Sequence, residues 1–147
     1  MTPRTDNPGP ELAYSKWVEI ALPYDQAIGA VKEALKTQGF GVLTEIDVRA
    51  TLKEKLGEET EPCLIIGACN PALAHQALTA EPSVAVLLPC NVVVRARHGH
   101  SLVEAMNPAV LSELTGNPEL EQVAVEAGRR IQQTLDALAT DHPLPPG

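Results

Sequence analysis

The chain has 147 residues, of which 44% are hydrophobic, and it carries a formal net charge of −8. These values predict one globular domain with a packed interior and argue against a disordered chain. The acidic balance argues against nucleic-acid binding, because the protein and a phosphate backbone repel each other. No signal peptide and no apolar run of about 20 residues is visible, so we predict a cytoplasmic protein without a membrane partner. Its three cysteines are too few, and odd in number, for a disulfide framework.

Apolar periodicity and turn residues divide the first half of the chain into strands and helices. Residues 1–12 are rich in proline and polar residues and predict a flexible leader. Strands are predicted over 16–22 and 40–47, and helices over 24–37 and 48–56. Gly39 suits the C-terminal end of the first helix, and Asp47 suits the N-cap of the second. Strict alternation in the second strand places Phe40, Val42, Thr44 and Ile46 on one face.

The second half begins with residues 63–69, which are apolar on both faces and predict an interior strand. Asn70 and Pro71 are a strong N-cap and a favoured first helical residue, so a helix is expected to follow and to end near Thr79. The remaining predicted elements are a strand over 84–88, a hairpin of strands over 91–97 and 101–106, a turn over 108–114, a helix from Asn117 and a flexible tail over 140–147.

The resulting order, β-α-β-α-β-α-β-β-β-α, predicts a single α+β domain over residues 13–139. Its sheet is expected to be mostly antiparallel, to have about six strands and to pack against helices. The final helix has an apolar stripe that the sheet or a second copy must cover, and two-fold dimers are common, so we predict a homodimer. The stripe consists of Leu120, Val123, Ala127, Ile131, Leu135 and Leu138.

Three segments together resemble one known family. They are GFGVLTEIDVRATLKEKLG at 39–57, CLIIGACNPALAHQAL at 63–78 and EPSVAVLLPCNVVV at 81–94. In these segments the chain is similar to the domain of unknown function 302 family, from about Lys16 to Met106 and more loosely to the last helix. The resemblance implies a small α+β protein with a sheet packed against helices. It implies no activity, because the family has none assigned.

The dipeptide Cys-Asn occurs twice, as Cys69-Asn70 and as Cys90-Asn91, and each copy follows an apolar run that predicts a strand. Cys69 precedes a helix start, where unpaired N–H groups stabilise a thiolate or a bound anion. If the two preceding strands are parallel, both pairs lie at one end of the sheet. If the strands are antiparallel, the pairs are expected at opposite ends and the combined site fails.

Other side chains of types that can bind metals or act in catalysis have simpler structural roles. His75 lies on the flank of its helix, away from the apolar stripe, which predicts a solvated side chain and no metal ligand. Cys63 is six residues from Cys69, about 20 Å along a strand, and cannot join it. His98 and His100 flank a hairpin turn, and Glu45 is expected to be solvated. These side chains do not form a recognisable metal site, and the sequence leaves any cofactor unknown.

Three functional interpretations stay open at this stage. The first is a small-ligand or anion-binding module that uses Cys69, Asn70, Cys90 and Asn91. The second is a thiol-based redox or metal-binding protein that uses Cys69 and Cys90. The third is a structural, homo-oligomeric domain whose cysteines belong to the core. Whether the protein is an enzyme is undecided. The separation and exposure of the two thiols discriminate among these interpretations. Close and exposed thiols favour thiol chemistry, close thiols that line a pocket favour ligand binding, and distant or buried thiols favour the structural interpretation.

Overall fold

The computed structural model describes residues 12–146, so most of the predicted leader lies outside the described residues. The predicted α+β class is confirmed. The strands are β1 (Ser15–Ile20), β2 (Gly41–Asp47), β3 (Cys63–Cys69), β4 (Cys90–Arg97) and β5 (His100–Met106), all antiparallel in the order β1-β5-β4-β3-β2. The helices are α1 (Tyr24–Thr37), α2 (Val48–Leu56), α3 (Pro71–Ala80), α4 (Ala109–Thr115) and α5 (Glu121–Asp141). Residues 12–146 thus form five strands, close to the predicted number of about six.

The missing strand is the one predicted over 84–88. Pro82–Leu87 forms a 3₁₀ helix, which we call the 3₁₀ segment, and residue Cys90 begins β4. Residues three apart share a face in this conformation. Val84 is accordingly 1% exposed and Leu87 packs beside it, whereas Val86 is 87% exposed. Pro82 at its first turn and Pro89 after its end lack the N–H groups that a strand ladder needs.

The predicted caps and hairpin are confirmed. The Asp47 carboxylate accepts a hydrogen bond from the Ala50 N–H at 2.9 Å, and Gly57 ends α2 with a φ of 69°. His98 and Gly99 have φ values of 49° and 82° and form the two-residue turn between β4 and β5. Positive φ at both central residues matches the right-handed twist of the flanking strands.

Strand β2 departs from the strict alternation that the sequence predicted. Val42 pairs with Ala68, but Thr44 pairs with the adjacent Gly67, so Leu43 is an inserted bulge residue. Val42 is therefore out of phase with Thr44 and Ile46, and the prediction of one shared face is wrong. A bulge changes the local alternation without any change in composition, so the residue types alone do not reveal it.

The main core lies between one face of the sheet and the helices α1 and α5. The predicted apolar stripe of α5 is buried within the chain, from Leu120 to Leu138. A second, smaller core joins α3, α4, the 3₁₀ segment and the start of α5, beyond the sheet end where β3 stops and β4 begins. Within residues 12–146, no helix has the length and apolarity needed to cross a bilayer.

The C-terminal part is more helical than predicted. The segment expected as a turn over 108–114 is mostly helix α4, and a short 3₁₀ turn at Pro118–Leu120 leads into α5. Helix α5 ends at Asp141, inside the range 140–147 that was assigned to a flexible tail. The Ala21 N–H donates to the His142 carbonyl at 3.0 Å, so the end of α5 is tied to the end of β1.

Candidate ligand-binding site

A cavity of about 320 Å³ lies where the end of β3 and the start of β4 meet α3, α4 and α5. Its walls come from distant parts of the chain. Helix α3 supplies Leu73, Ala74, Ala77 and Leu78, and the two later helices supply Leu111, Val123 and Ala127. Among the described residues that line the cavity, none is charged and Asn70 alone carries an amide. We call this space the apolar cavity.

Both thiols of the Cys-Asn pairs line the apolar cavity. Strands β3 and β4 are antiparallel, and Ala68, next to Cys69, pairs directly with Cys90. The prediction that antiparallel strands would separate the two pairs is wrong. It assumed that Cys90 follows a strand, whereas Cys90 begins one. The end of one strand and the start of its antiparallel neighbour lie at the same end of the sheet.

The two asparagines of the pairs have different positions. Asn70 is 8% exposed, lines the cavity, and accepts a hydrogen bond from the Leu73 N–H at 3.2 Å through Oδ1. Asn91 is exposed on β4, where it pairs with Gly67, and it does not line the cavity. The structure thus brings together Cys69, Asn70 and Cys90, and it leaves Asn91 outside.

The environment of Cys90 favours the neutral thiol. Burial, with a smaller contribution from negative charge on nearby Cys69, raises the pKa of Cys90 to about 11. A thiolate is the reactive form of cysteine, so Cys90 is a weak nucleophile at neutral pH. At the far end of β3, burial raises the pKa of Cys63, and the guanidinium of Arg95 opposes that effect.

A close approach at Gly39 supports the helix start at Asn70. Gly39 has a φ of +84°, and a Cβ there would lie 2.9 Å from Arg130 Nη1 and 3.0 Å from Asn70 Nδ2. Arg130 Nη1 donates to the Gln38 carbonyl at 2.9 Å. Glycine at position 39 therefore lets α5 and the start of α3 approach the end of α1 closely. The sequence indicated the positive φ, which a helix end commonly requires, but not these contacts.

The other chemically notable side chains lie outside the apolar cavity. His75 is exposed on α3, and His98 is exposed at the hairpin turn. Glu45 forms an ion pair with Lys32 at 2.8 Å. In the described part of the chain, no group of three or more histidine, cysteine, aspartate or glutamate side chains could hold a metal ion.

Sequence reasoning missed the residues that complete the cavity walls, namely Leu43, Leu111, Val123 and Ala127. Leu111 has the residue type of an ordinary core position, and Val123 and Ala127 were assigned only to the α5 stripe. Nothing local distinguishes an apolar side chain that lines a cavity from one that fills the core. Leu43 was missed because the bulge, which turns it out of the regular alternation, was not predicted.

Comparison with known proteins agrees with the resemblance and the fold. The family described as "Domain of unknown function DUF302" matches residues 17–138. A crystal structure of an uncharacterized conserved DUF302 protein from Bacillus stearothermophilus is similar, with a TM-score of 0.80 and 28% sequence identity. The alignment covers 86% of this chain and 99% of that chain. No curated protein matches the sequence.

Proposed function

This chain belongs to the DUF302 family, whose description assigns no activity, and we propose from the geometry of its own cavity that it binds a small, uncharged, mainly apolar molecule. The observation that supports this proposal is the apolar cavity itself. It is concave, about 320 Å³ in volume, and lined by aliphatic side chains, two thiols and one amide. Ligand sites in proteins are commonly of about 300 to 1,000 Å³ with mostly apolar walls and few polar groups.

The charge of the lining favours an uncharged ligand over an anion. The described lining residues include no lysine, arginine or histidine. The helix start that could attract an anion already has the Asn70 side chain bound to the Leu73 N–H. An anion in this cavity would lose its hydration without gaining a cationic partner, and that loss costs several kcal/mol.

A thiol-based activity is the second candidate, because Cys69 and Cys90 line the same cavity. Its weakness is the buried position of Cys90, whose pKa of about 11 keeps it protonated at neutral pH. A reactive cysteine pair usually contains a thiol with a lowered pKa in an electropositive, partly exposed setting. We therefore interpret the two thiols as part of the apolar lining, where their polarisable sulfur atoms contact an apolar ligand.

A cavity-filling substitution tests the proposal. Ala74 lines the cavity on α3, and Ala72 on the same helix is exposed and does not. Fluorescence titration with N-phenyl-1-naphthylamine, a neutral apolar probe, should show saturable binding to the wild-type chain. Ala74→Leu should weaken this binding at least tenfold because the added methyl groups occupy the space of the probe. Ala72→Leu should change it less than twofold.

The matched pair separates cavity binding from surface adsorption. Both variants introduce the same side chain into the same helix, so helix propensity changes equally. Circular dichroism confirms that each variant is folded. Equal weakening in both variants, or absence of saturable binding to the wild-type chain, would refute the proposed function.

A further inference from the structure

The side-chain amide of Asn70 is the one strongly polar side chain among the described residues that line the apolar cavity. Asn70 is 8% exposed, and its Oδ1 accepts the Leu73 N–H at 3.2 Å, which caps α3. In the described part of the chain, its Nδ2 donates to no protein acceptor. Buried side-chain amides are normally hydrogen-bonded, so an unused donor at this position needs an explanation. The fold uses the oxygen of this amide and leaves its N–H groups available to a ligand.

The cap of α3 determines which end of the Asn70 amide is left over. An amide nitrogen only donates, so turning the amide over would set Nδ2 against the donating Leu73 N–H. Oδ1 therefore stays with α3, and Nδ2 lies on the side of Gly39, at 3.0 Å from the position that a Cβ would take there. The N-cap interaction thus holds a hydrogen-bond donor in a fixed place at the cavity wall.

The side chains around Nδ2 are poor acceptors for its hydrogen bond. Gly39 has no side chain, and the Arg130 guanidinium on the same side carries donors only. The described cavity lining offers aliphatic groups, which accept nothing, and thiols, whose sulfur accepts weakly. A buried water typically makes about three hydrogen bonds, and this apolar lining would give it one strong partner. A ligand with an oxygen acceptor therefore suits this position better than water does.

Access and charge at Nδ2 both favour a neutral oxygen. Nδ2 is not among the described side-chain atoms that are fully enclosed without a hydrogen bond, so protein atoms do not seal it off. Arg130 does not line the cavity, and its Nη1 donates to the Gln38 carbonyl at 2.9 Å. Glu126 Oε1 lies 3.9 Å from Arg130 Nε and offsets its charge. The group presented to the cavity is therefore a neutral amide, which matches an uncharged acceptor.

We propose that the ligand of the apolar cavity is a small neutral carbonyl compound, such as a ketone or an ester, whose oxygen accepts a hydrogen bond from Asn70 Nδ2. This inference rests on the proposed function and names the chemical class of its ligand. The aliphatic lining binds the apolar body, and the amide determines which end of the molecule lies at the start of α3. A ligand that covers the amide without accepting its hydrogen bond leaves a buried donor unpaired, so the contact selects for the oxygen.

A matched ligand pair and an amide-to-carboxylate substitution test the proposal. Acetophenone and α-methylstyrene have nearly the same shape, but only acetophenone has a carbonyl oxygen, and both should displace N-phenyl-1-naphthylamine from the wild-type chain. Asn70→Asp keeps the oxygen that caps α3 and removes the N–H donors. It should weaken acetophenone binding at least tenfold and α-methylstyrene binding less than threefold. Asn91→Asp makes the same change in the exposed Cys-Asn pair outside the cavity, and it should change both affinities less than twofold.

Nuclear magnetic resonance of the isotope-labelled wild-type chain gives a second readout that depends on no variant. Saturating acetophenone should shift an Asn70 side-chain N–H signal downfield at least twice as far as saturating α-methylstyrene does. An unchanged ratio of the two affinities in Asn70→Asp, equal shifts of the N–H signal, or failure of both compounds to displace the probe would overturn this inference. The proposed function fails separately, if the wild-type chain shows no saturable binding of N-phenyl-1-naphthylamine.

Discussion

The two thiols that share the apolar cavity differ in their exposure to solvent. Cys69 is partly exposed at the end of β3, and Cys90 is 9% exposed at the start of β4. Identical Cys-Asn dipeptides therefore have different chemistry, because burial depends on the packing of distant helices against them. The contrast between Asn70, which caps α3 inside the cavity wall, and exposed Asn91 has the same origin.

The raised pKa of Cys90 predicts a pH-dependent stability. The thiol has a pKa of about 11 when folded and an ordinary value of 9.0, which we take for the unfolded chain. Between these values the unfolded state loses a proton that the folded state keeps, so the unfolding free energy falls as pH rises from about 9 to about 11. Below about pH 8 both states keep the proton and this contribution is constant.

Urea unfolding under reducing conditions at pH 8 and pH 10.5 measures this effect. Between these pH values, we expect wild-type protein to lose about 2 kcal/mol more stability than Cys90→Ala, which has no thiol at this position. Other alkaline groups titrate in both proteins and cancel in the comparison. The same pH dependence in wild type and variant would contradict the buried, protonated state of Cys90.

At the element scale, the 3₁₀ segment has the largest consequence for the site. It closes one side of the apolar cavity and determines that Cys90 begins a strand. Its attachment depends on Val84, which is buried in the second core with Ala77, Leu111 and Leu120. Val86, two residues later, has the same side chain but is directed to solvent.

Val84 and Val86 allow a matched test of how the 3₁₀ segment packs on the second core. Val84→Ala should lower the free energy of unfolding by about 2 kcal/mol, because it removes two buried methyl groups and leaves a void. Val86→Ala should change it by less than about 0.5 kcal/mol, as is usual for an exposed position. Urea unfolding of both variants provides the measurement. If the segment were a strand, in which Val84 and Val86 share one face, or were detached from the core, the two variants would have similar stability.

In the whole molecule, the apolar cavity and Cys63 lie at opposite ends of the sheet. The apolar cavity lies at the sheet end where β3 stops and β4 begins, and it is completed by α3, α4 and α5. Cys63 lies at the opposite end of β3, beside Val48, Leu52 and Arg95. A ligand in the cavity should therefore change the reactivity of Cys69 and Cys90 but not that of Cys63.

Timed alkylation at pH 7, with the modified residues mapped by mass, tests this separation. Without a probe we expect Cys69 to react fastest, because it is partly exposed, whereas burial raises the pKa of both Cys63 and Cys90 and disfavours their reactive thiolates. Saturating N-phenyl-1-naphthylamine should slow alkylation of Cys69 at least fivefold and leave the rate at Cys63 unchanged. Equal protection of Cys63 and Cys69 would place the probe outside the cavity or indicate general stabilisation.

Local signals in the sequence determined much of the fold. Helix α1 matches its predicted bounds of 24–37, and the Asp47 and Asn70 caps form the expected hydrogen bonds. The apolar period of α5 correctly identified its buried stripe, and the His98-Gly99 turn joins the predicted hairpin. Caps, helical periods and tight turns depend on residues within a few positions of one another, so their physical causes are present in the sequence itself.

The remaining features of the fold and of the cavity depend on tertiary contacts. The run Val84 to Leu88 is apolar enough for a strand, and periodicity cannot distinguish a short apolar strand from a helical turn packed on a core. Packing against α3 and α4 favours the 3₁₀ segment, which Pro82 and Pro89 permit, and Cys90 then begins β4 beside the end of β3. The sequence singled out Cys69, Asn70 and Cys90, but the cavity that they line also requires Leu111, Val123 and Ala127 from much later in the chain. Proximity between residues so far apart is a property of the folded packing, which no local pattern encodes.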